Sequence, residues 1–272
     1  MKCLYILALL FLFTACNNND SGNKKENKPN TDIFGNTTTD NTVQAGYLLD
    51  SSEFFVDQII HQHLQHNLNI QEIEAYSFEI YEDYINKDSI KDAVIAINLL
   101  SFAKKESQKP NNTLVSPQLG YLGPYNCFIY FDGKSNSLSK PITVYSSAVS
   151  PLKVSFEHIS AMNYKDIIID FKIRNSSFKE IYFLSKNFPK RVFQWKNYDG
   201  LGTSNTEAYC FDYFTNEKSK AKNIRISEGS IEHISSQADL FTIDPKLINT
   251  HKQVNEFFYI ESEGKYFTKK EN

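Results

Sequence analysis

The chain lacks most of the strings that announce a chemistry. It has no G-x-S-x-G, no Walker A and no G-x-G-x-x-G, so the sequence signatures of serine hydrolases, P-loop enzymes and dinucleotide binders are missing. It has no basic excess either. The formal net charge is −3, which offers nucleic acid or an anionic surface nothing to bind. Its longest apolar stretch, Leu4 to Phe13, is too short for a bilayer, which needs about 20 apolar residues. What it has is 41% hydrophobic residues, enough for a globular core, and 21 Phe with 16 Tyr, which favour strands.

The chain opens MKCLYILALLFLFTAC. Lys2 is a short positive segment, Leu4 to Phe13 is apolar, and Thr14-Ala15-Cys16 sets small residues before a cysteine. This resembles a bacterial lipoprotein signal peptide with its lipobox, spanning 1–15. The resemblance implies cleavage before Cys16, lipidation (palmitate) of Cys16, and export to the cell envelope on a membrane anchor, the outer membrane ahead of the inner. Residues 16–46 hold the anchor and then Asn, Thr, Lys, Asp and Gly almost throughout. Such composition cannot bury enough apolar area to offset its ordering entropy, so a disordered tether is expected.

Residues 47–272 are expected to form one β-repeat domain preceded by a helix. Phe55, Ile59, Ile60, His63, Leu64 and Leu68 recur at helical spacing. They predict one amphipathic helix over about 50–67, with Asp50 or Ser51 as cap. His61, His63 and His66 lie on it. No pair of them has the i,i+4 spacing of a helical zinc pair, so a solvated or partly packed cluster is expected.

Beyond the helix the chain turns to short aromatic and β-branched runs broken by Asn, Lys, Ser and Gly. SFEHIS at 155–160 and SIEHIS at 230–235 nearly coincide, 75 residues apart (230 minus 155). Stepping back from the first by 74 reaches YEDYIN at 81–86. Each string continues through a polar turn and an Asp (Asp92, Asp166, Asp239) into an apolar run. Three units follow, about 76–151, 152–226 and 227–272. The pattern is similar to the FG-GAP and VCBS repeats of β-propellers, whose loop D-x-[DN]-x-D-G-x-x-D precedes a buried strand. The resemblance implies a mainly β, propeller-like repeat of antiparallel sheets. Cys127 and Cys210 then fall in equivalent slots of successive units, too far apart for a disulfide, and two thiols acting as small hydrophobes are expected.

The family loop also implies a candidate calcium site. Asn86, Asp88, the Ile90 carbonyl and Asp92 are hard oxygen donors, and Asp83 could replace the missing first ligand. The competing reading is a polar turn whose carboxylates accept from backbone amides. Any calcium would be structural, and no cofactor is required. For contact surfaces, the Pro/Gly/Tyr-rich stretch with Tyr121 and Tyr125, and FQWKNYDGLGTSN with Trp195 and Tyr198, are candidate binding loops.

The leading expectation is a non-enzymatic binding module for an envelope protein or glycan. A sharper alternative is a periplasmic inhibitor of a peptidoglycan hydrolase, which the chain also resembles in its single DxNxD-like loop. The competing class is a cell-wall or polysaccharide hydrolase. It needs two carboxylates in one cleft, with Asp166 and Asp170, or Glu207 and Asp212, as the pairs to inspect.

Overall fold

The computed structural model describes residues 53–68, 75–110, 112, 115–186, 188–216 and 219–268, with the dipeptides 30–31 and 37–38. The lipobox, Cys16 and the helix caps Asp50 and Ser51 lie outside the described residues. The two dipeptides, β1 (Asn30–Thr31) and β2 (Thr37–Thr38), pair antiparallel.

The expected helix is α1 (Glu53–Leu68). Its Ile59, Ile60 and Leu64 are buried against a first sheet. That sheet contains β3 (Ser77–Asp83), β4 (Asp92–Asn98), β5 (Leu122–Asp132), β6 (Ser137–Leu138) and β7 (Ile142–Ser147). Between β4 and β5 lie α2 (Leu100–Glu106), which the strand-and-turn reading of this stretch missed, and a 3₁₀ turn at Pro117–Leu119. The remaining strands are β8 (Lys153–Glu157), β9 (Asp166–Ile173), β10 (Ser176–Ser185), β11 (Phe188–Asp199), β12 (Glu207–Asn216), β13 (Ser219–Ile231), β14 (Leu247–Ile260) and β15 (Lys265–Thr268). They form one antiparallel eight-stranded path in chain order, open at β8 and at β15.

The fold is therefore mainly β and antiparallel. The eight-stranded path has one weak seam, since β11 and β12 share only the pairs Tyr198 with Ala208 and Asp199 with Glu207. Either side of it the strands group as β8-β9-β10-β11 and β12-β13-β14-β15, and β3-β4-β5-β7 has the same four-stranded order. We call β3-β4-β5-β7 the first meander, β8-β9-β10-β11 the second and β12-β13-β14-β15 the third.

Burial explains why the strands read as they do. DAVIAIN in β4 is buried at every position. Its Ala93, Ile95 and Ile97 meet α1 and α2, while Val94 and Ala96 meet Val154, Ile167, Ile169 and Tyr182 of the second meander. A strand covered on both faces reads as a continuous apolar run instead of an alternation. The second meander is covered on its other face as well. There Ile168, Ile181 and Phe193 pack with Ile224, Ile226, Phe257 and Tyr266 of the third.

The sequence repeat has a structural counterpart in the first two meanders. Asp83 pairs with Asp92 across β3–β4, and Glu157 pairs with Asp166 across β8–β9, so residues 84–91 and 158–165 form loops of equal length. Ile85 and Ile159 are the buried apolar residues of the two loops. Each is also the point where the next meander takes hold. The Lys165 amide donates to the Ile85 carbonyl at 2.8 Å, and the Lys222 amide donates to that of Ile159 at 2.7 Å. Their ammonium groups reach back to Asp83 (2.7 Å) and Glu157 (2.8 Å).

SIEHIS does not occupy the third such place. Its Ser230 and Ile231 end β13, and Asp239 lies in an exposed turn before β14. The third place is taken by Lys222-Asn223-Ile224 inside β13. Lys165→Ala and Lys222→Ala should each cost about 1 kcal/mol, as half-buried ion pairs do. Urea unfolding of the single and double variants measures it, and no loss in either would deny the clasp an energetic role.

Candidate functional site

In the 83–92 loop the oxygens are already taken by the loop itself. Asp92 is fully buried and accepts from the Asn86 amide (3.1 Å) and the Gly133 amide (3.0 Å). Asn86 Oδ1 accepts from the Asp88 amide (2.8 Å), and Asp88 Oδ1 from the Ile90 amide (2.9 Å). Asp83 accepts from the Tyr84 amide and from Lys165. These are the contacts of a polar turn. Among the described residues no group of three or more His, Cys, Asp or Glu is placed to hold a metal ion. Burial outweighs the donated hydrogen bonds and holds the Asp92 carboxyl above the usual carboxylate range. Gly133 is required here, because a Cβ would meet the Lys91 carbonyl at 1.9 Å.

Three of the four candidate contact aromatics lie in strands, and none is fully exposed. Tyr125 lies in β5, is buried, and meets Phe102 edge-on at 6.1 Å. Tyr198 lies in β11, is buried, and donates to the Ile243 carbonyl at 3.3 Å. Both are corrected from surface anchors to core residues. Pro and Gly nearby mark turns, but the rings belong to the strands beside them. Trp195, also in β11, packs against Phe257 (5.3 Å) and Tyr209 (6.1 Å). Its buried indole N–H has no partner among the described residues. Tyr121 is half-buried at a left-handed φ of 55° beside the first core.

The histidines are dispersed along α1. His61 stacks on Tyr76, and His63 Nε2 lies 2.8 Å from the Ser139 carbonyl, where burial holds its pKa below the ordinary value. His66 is exposed on the same helix. Neither carboxylate pair shares a cleft. Asp166 is buried and bonded to its own loop, and Asp170 lies four residues along β9, about 13 Å away at strand spacing. Glu207 and Asp212 are five residues apart on β12, so they project to opposite faces.

The concave feature that does emerge is a groove of about 490 Å³ between the second and third meanders. Ser155, Phe156 and Glu157 of β8 form one wall, and Tyr209, Cys210, Phe211 and Tyr213 of β12 form the other. Lys179 and Asn197 reach it from β10 and β11. Both are held by Asp170. Lys179 donates to its two oxygens at 2.7 and 2.9 Å, and Asn197 donates at 2.8 Å while also bonding Ser177 (3.1 Å). The Lys179 ammonium lies 5.5 Å from the centre of the Phe211 ring. At the rim, Glu157 pairs with Lys222.

Two acids and two lysines thus balance, leaving a polar, charge-neutral groove with an aromatic wall. Such a wall offers apolar contact and the row of side chains offers donors and acceptors. Cys210 has no histidine among its groove neighbours, and burial pushes its thiol up, away from reactivity.

No protein-family model, curated protein or solved structure matches the chain. The groove is read from its own chemistry. Sequence inspection passed over it because Asp170, Lys179 and Asn197 meet only once the register pairing Asp170 with Lys179 is known. One signal was legible, the alternation Tyr209, Phe211, Tyr213 that puts three rings on one side of β12.

Proposed function

We propose that this chain is an exported lipoprotein, anchored through Cys16, that binds an envelope protein or glycan without transforming it. In this reading the three meanders are propeller-like blades in an open arc, and the groove between their first strands β8 and β12 is the binding site. The groove carries the proposal, since its polar groups are mutually satisfied, its net charge is balanced and one wall is aromatic. The signal-like start supports export.

One observation favours the inhibitor version. Loops 84–91 and 158–165 are tied side by side through the Lys165 amide and the Ile85 carbonyl, and they carry Tyr84 at 53% and Met162 at 74% exposure. A paired apolar tip of that kind could plug the cleft of a peptidoglycan hydrolase.

Pull-down from envelopes with the detergent-extracted full-length protein tests these readings. Ser155 is exposed on the groove wall, so Ser155→Trp should fill the groove without unfolding the chain and reduce recovery of the ligand at least tenfold. EDTA should leave recovery unchanged, because the acids of the 83–92 loop are bonded to amides and lysine. Full recovery by Ser155→Trp, with loss in Tyr84→Ser, would move the contact to the loop tips.

A further inference from the structure

The groove is bounded by strand edges as much as by side chains. Successive side chains of a strand point to opposite faces. A surface lined by Ser155, Phe156 and Glu157 in succession, and opposite them by Tyr209, Cys210 and Phe211, therefore reaches the edges of β8 and β12, while Ile168, Lys179 and Asn197 continue it over the face of the second meander. Both edges lack a neighbour there. β8 ends the eight-stranded path, and β12 leaves β11 after Ala208, so among the described residues no strand pairs with that side of β12 beyond the seam. The Val154 amide faces the Tyr81 hydroxyl oxygen, on the side away from β9. Backbone groups on one side of an antiparallel strand recur every second residue. The amide and carbonyl of Phe156 therefore also point away from β9, into the groove.

Resting on the binding reading above, we infer that the ligand is an extended peptide segment of a partner protein, added as a strand along the β8 edge. An unpaired edge is a template for such pairing. Main-chain hydrogen bonds supply affinity, and alternate side chains of the peptide enter flanking pockets. The walls define its chemistry. The rings of Tyr209, Phe211 and Tyr213 suit apolar or aromatic side chains at every second position. The neutral balance of Asp170, Glu157, Lys179 and Lys222 selects against a highly charged segment. A glycan would use the rings and the polar row but would have no use for the Phe156 amide.

The test places the photocrosslinker p-benzoylphenylalanine at Tyr209 of the full-length protein in its native envelope, with adducts identified by mass spectrometry. Adducts confined to one protein segment are expected. Adding Phe156→Pro removes the outward N–H, a change an edge strand tolerates. It should cut adduct yield at least tenfold, whereas Phe156→Ala, which loses the same ring but keeps the amide, should stay within about threefold of the parent. Thermal unfolding of both variants verifies that each is folded. Equal yields from the Pro and Ala variants, adducts only with sugar, or no adduct at Tyr209 would each overturn the inference. A second crosslinker at the exposed Tyr145 separates the two levels. Protein adducts there and none at Tyr209 leave the binding module standing with a different surface. No adduct at either position, with nothing recovered in the pull-down, removes the binding reading as well.

Discussion

Asp166→Ala is expected to lower the unfolding free energy by about 3–5 kcal/mol at neutral pH, and Asp92→Ala by a similar amount. The Asp166 carboxylate is buried and accepts from the Ile159 amide (3.0 Å), the Ser160 amide (2.7 Å) and the Ser160 hydroxyl. Alanine leaves these donors buried without an acceptor, at about 1–3 kcal/mol each. The exposed Asp239, at the corresponding place in the third string, should cost under about 0.5 kcal/mol when replaced. Chemical unfolding of the three variants decides the matter, and equal losses at Asp166 and Asp239 would refute the distinction drawn here between the buried acid and the exposed one.

The loss at Asp166 should also depend on pH. Burial pushes this carboxyl up to about 6 from 3.8, against the pull of its hydrogen bonds. A carboxyl raised in the folded state is held more favourably there when neutral. Its contribution is fullest below about pH 4 and is lost as pH rises through about 6, a difference of about 3 kcal/mol. The penalty of Asp166→Ala should therefore be larger at pH 4 than at pH 7.5. Asp199 and Asp244, whose carboxyls are held below the usual range, lose stabilisation on acidification in both proteins and cancel in the difference. A penalty that shrinks at pH 4 contradicts this account.

Cys16→Ser should abolish membrane anchoring outright. A thioether-linked lipid can be built only on the sulfur, and serine offers none. Each buried acyl methylene contributes about 0.8 kcal/mol to membrane affinity, so losing the chains removes the anchor rather than weakening it. Labelled palmitate should enter the parent and not the variant, and the variant should leave the membrane pellet. Palmitate in the Cys16→Ser protein would refute the lipobox reading.

Periodicity and composition made some of this fold legible. The spacing of Ile59, Ile60 and Leu64 announced α1, and the runs DAVIAIN and DIIIDFKI announced strands buried on both faces. The repeated Asp before such a run marked two real hairpins, because a buried carboxylate that organises a loop must stand at a fixed distance from it. The third match misled, since the likeness of SIEHIS to SFEHIS is local, whereas equivalence in the fold depends on long-range pairing. There Asn223 replaces the acid and no comparable loop precedes it. The cysteines show the same thing. They are free, as expected, but Cys127 lies in β5, the third strand of its meander, and Cys210 in β12, the first of another. Turn residues beside Tyr125 and Tyr198 suggest surface anchors, whereas burial is decided by distant partners, Phe102 of α2 for Tyr125 and the cluster with Ala208, Leu240 and Ile243 for Tyr198. The groove was hidden because register, which no single string encodes, assembles it.

The lysine clasp gives the array a direction. Each early unit offers its successor a carbonyl and an acid from a loop eight residues long, 84–91 and then 158–165. At the same place in the third meander, between β12 and β13, Asn216 pairs with Ser219, which leaves only two residues between them. A turn that short has no arm to extend. With two residues in place of eight, the third meander does not repeat the clasp, so the grip that joins each earlier unit to the next runs one way along the chain.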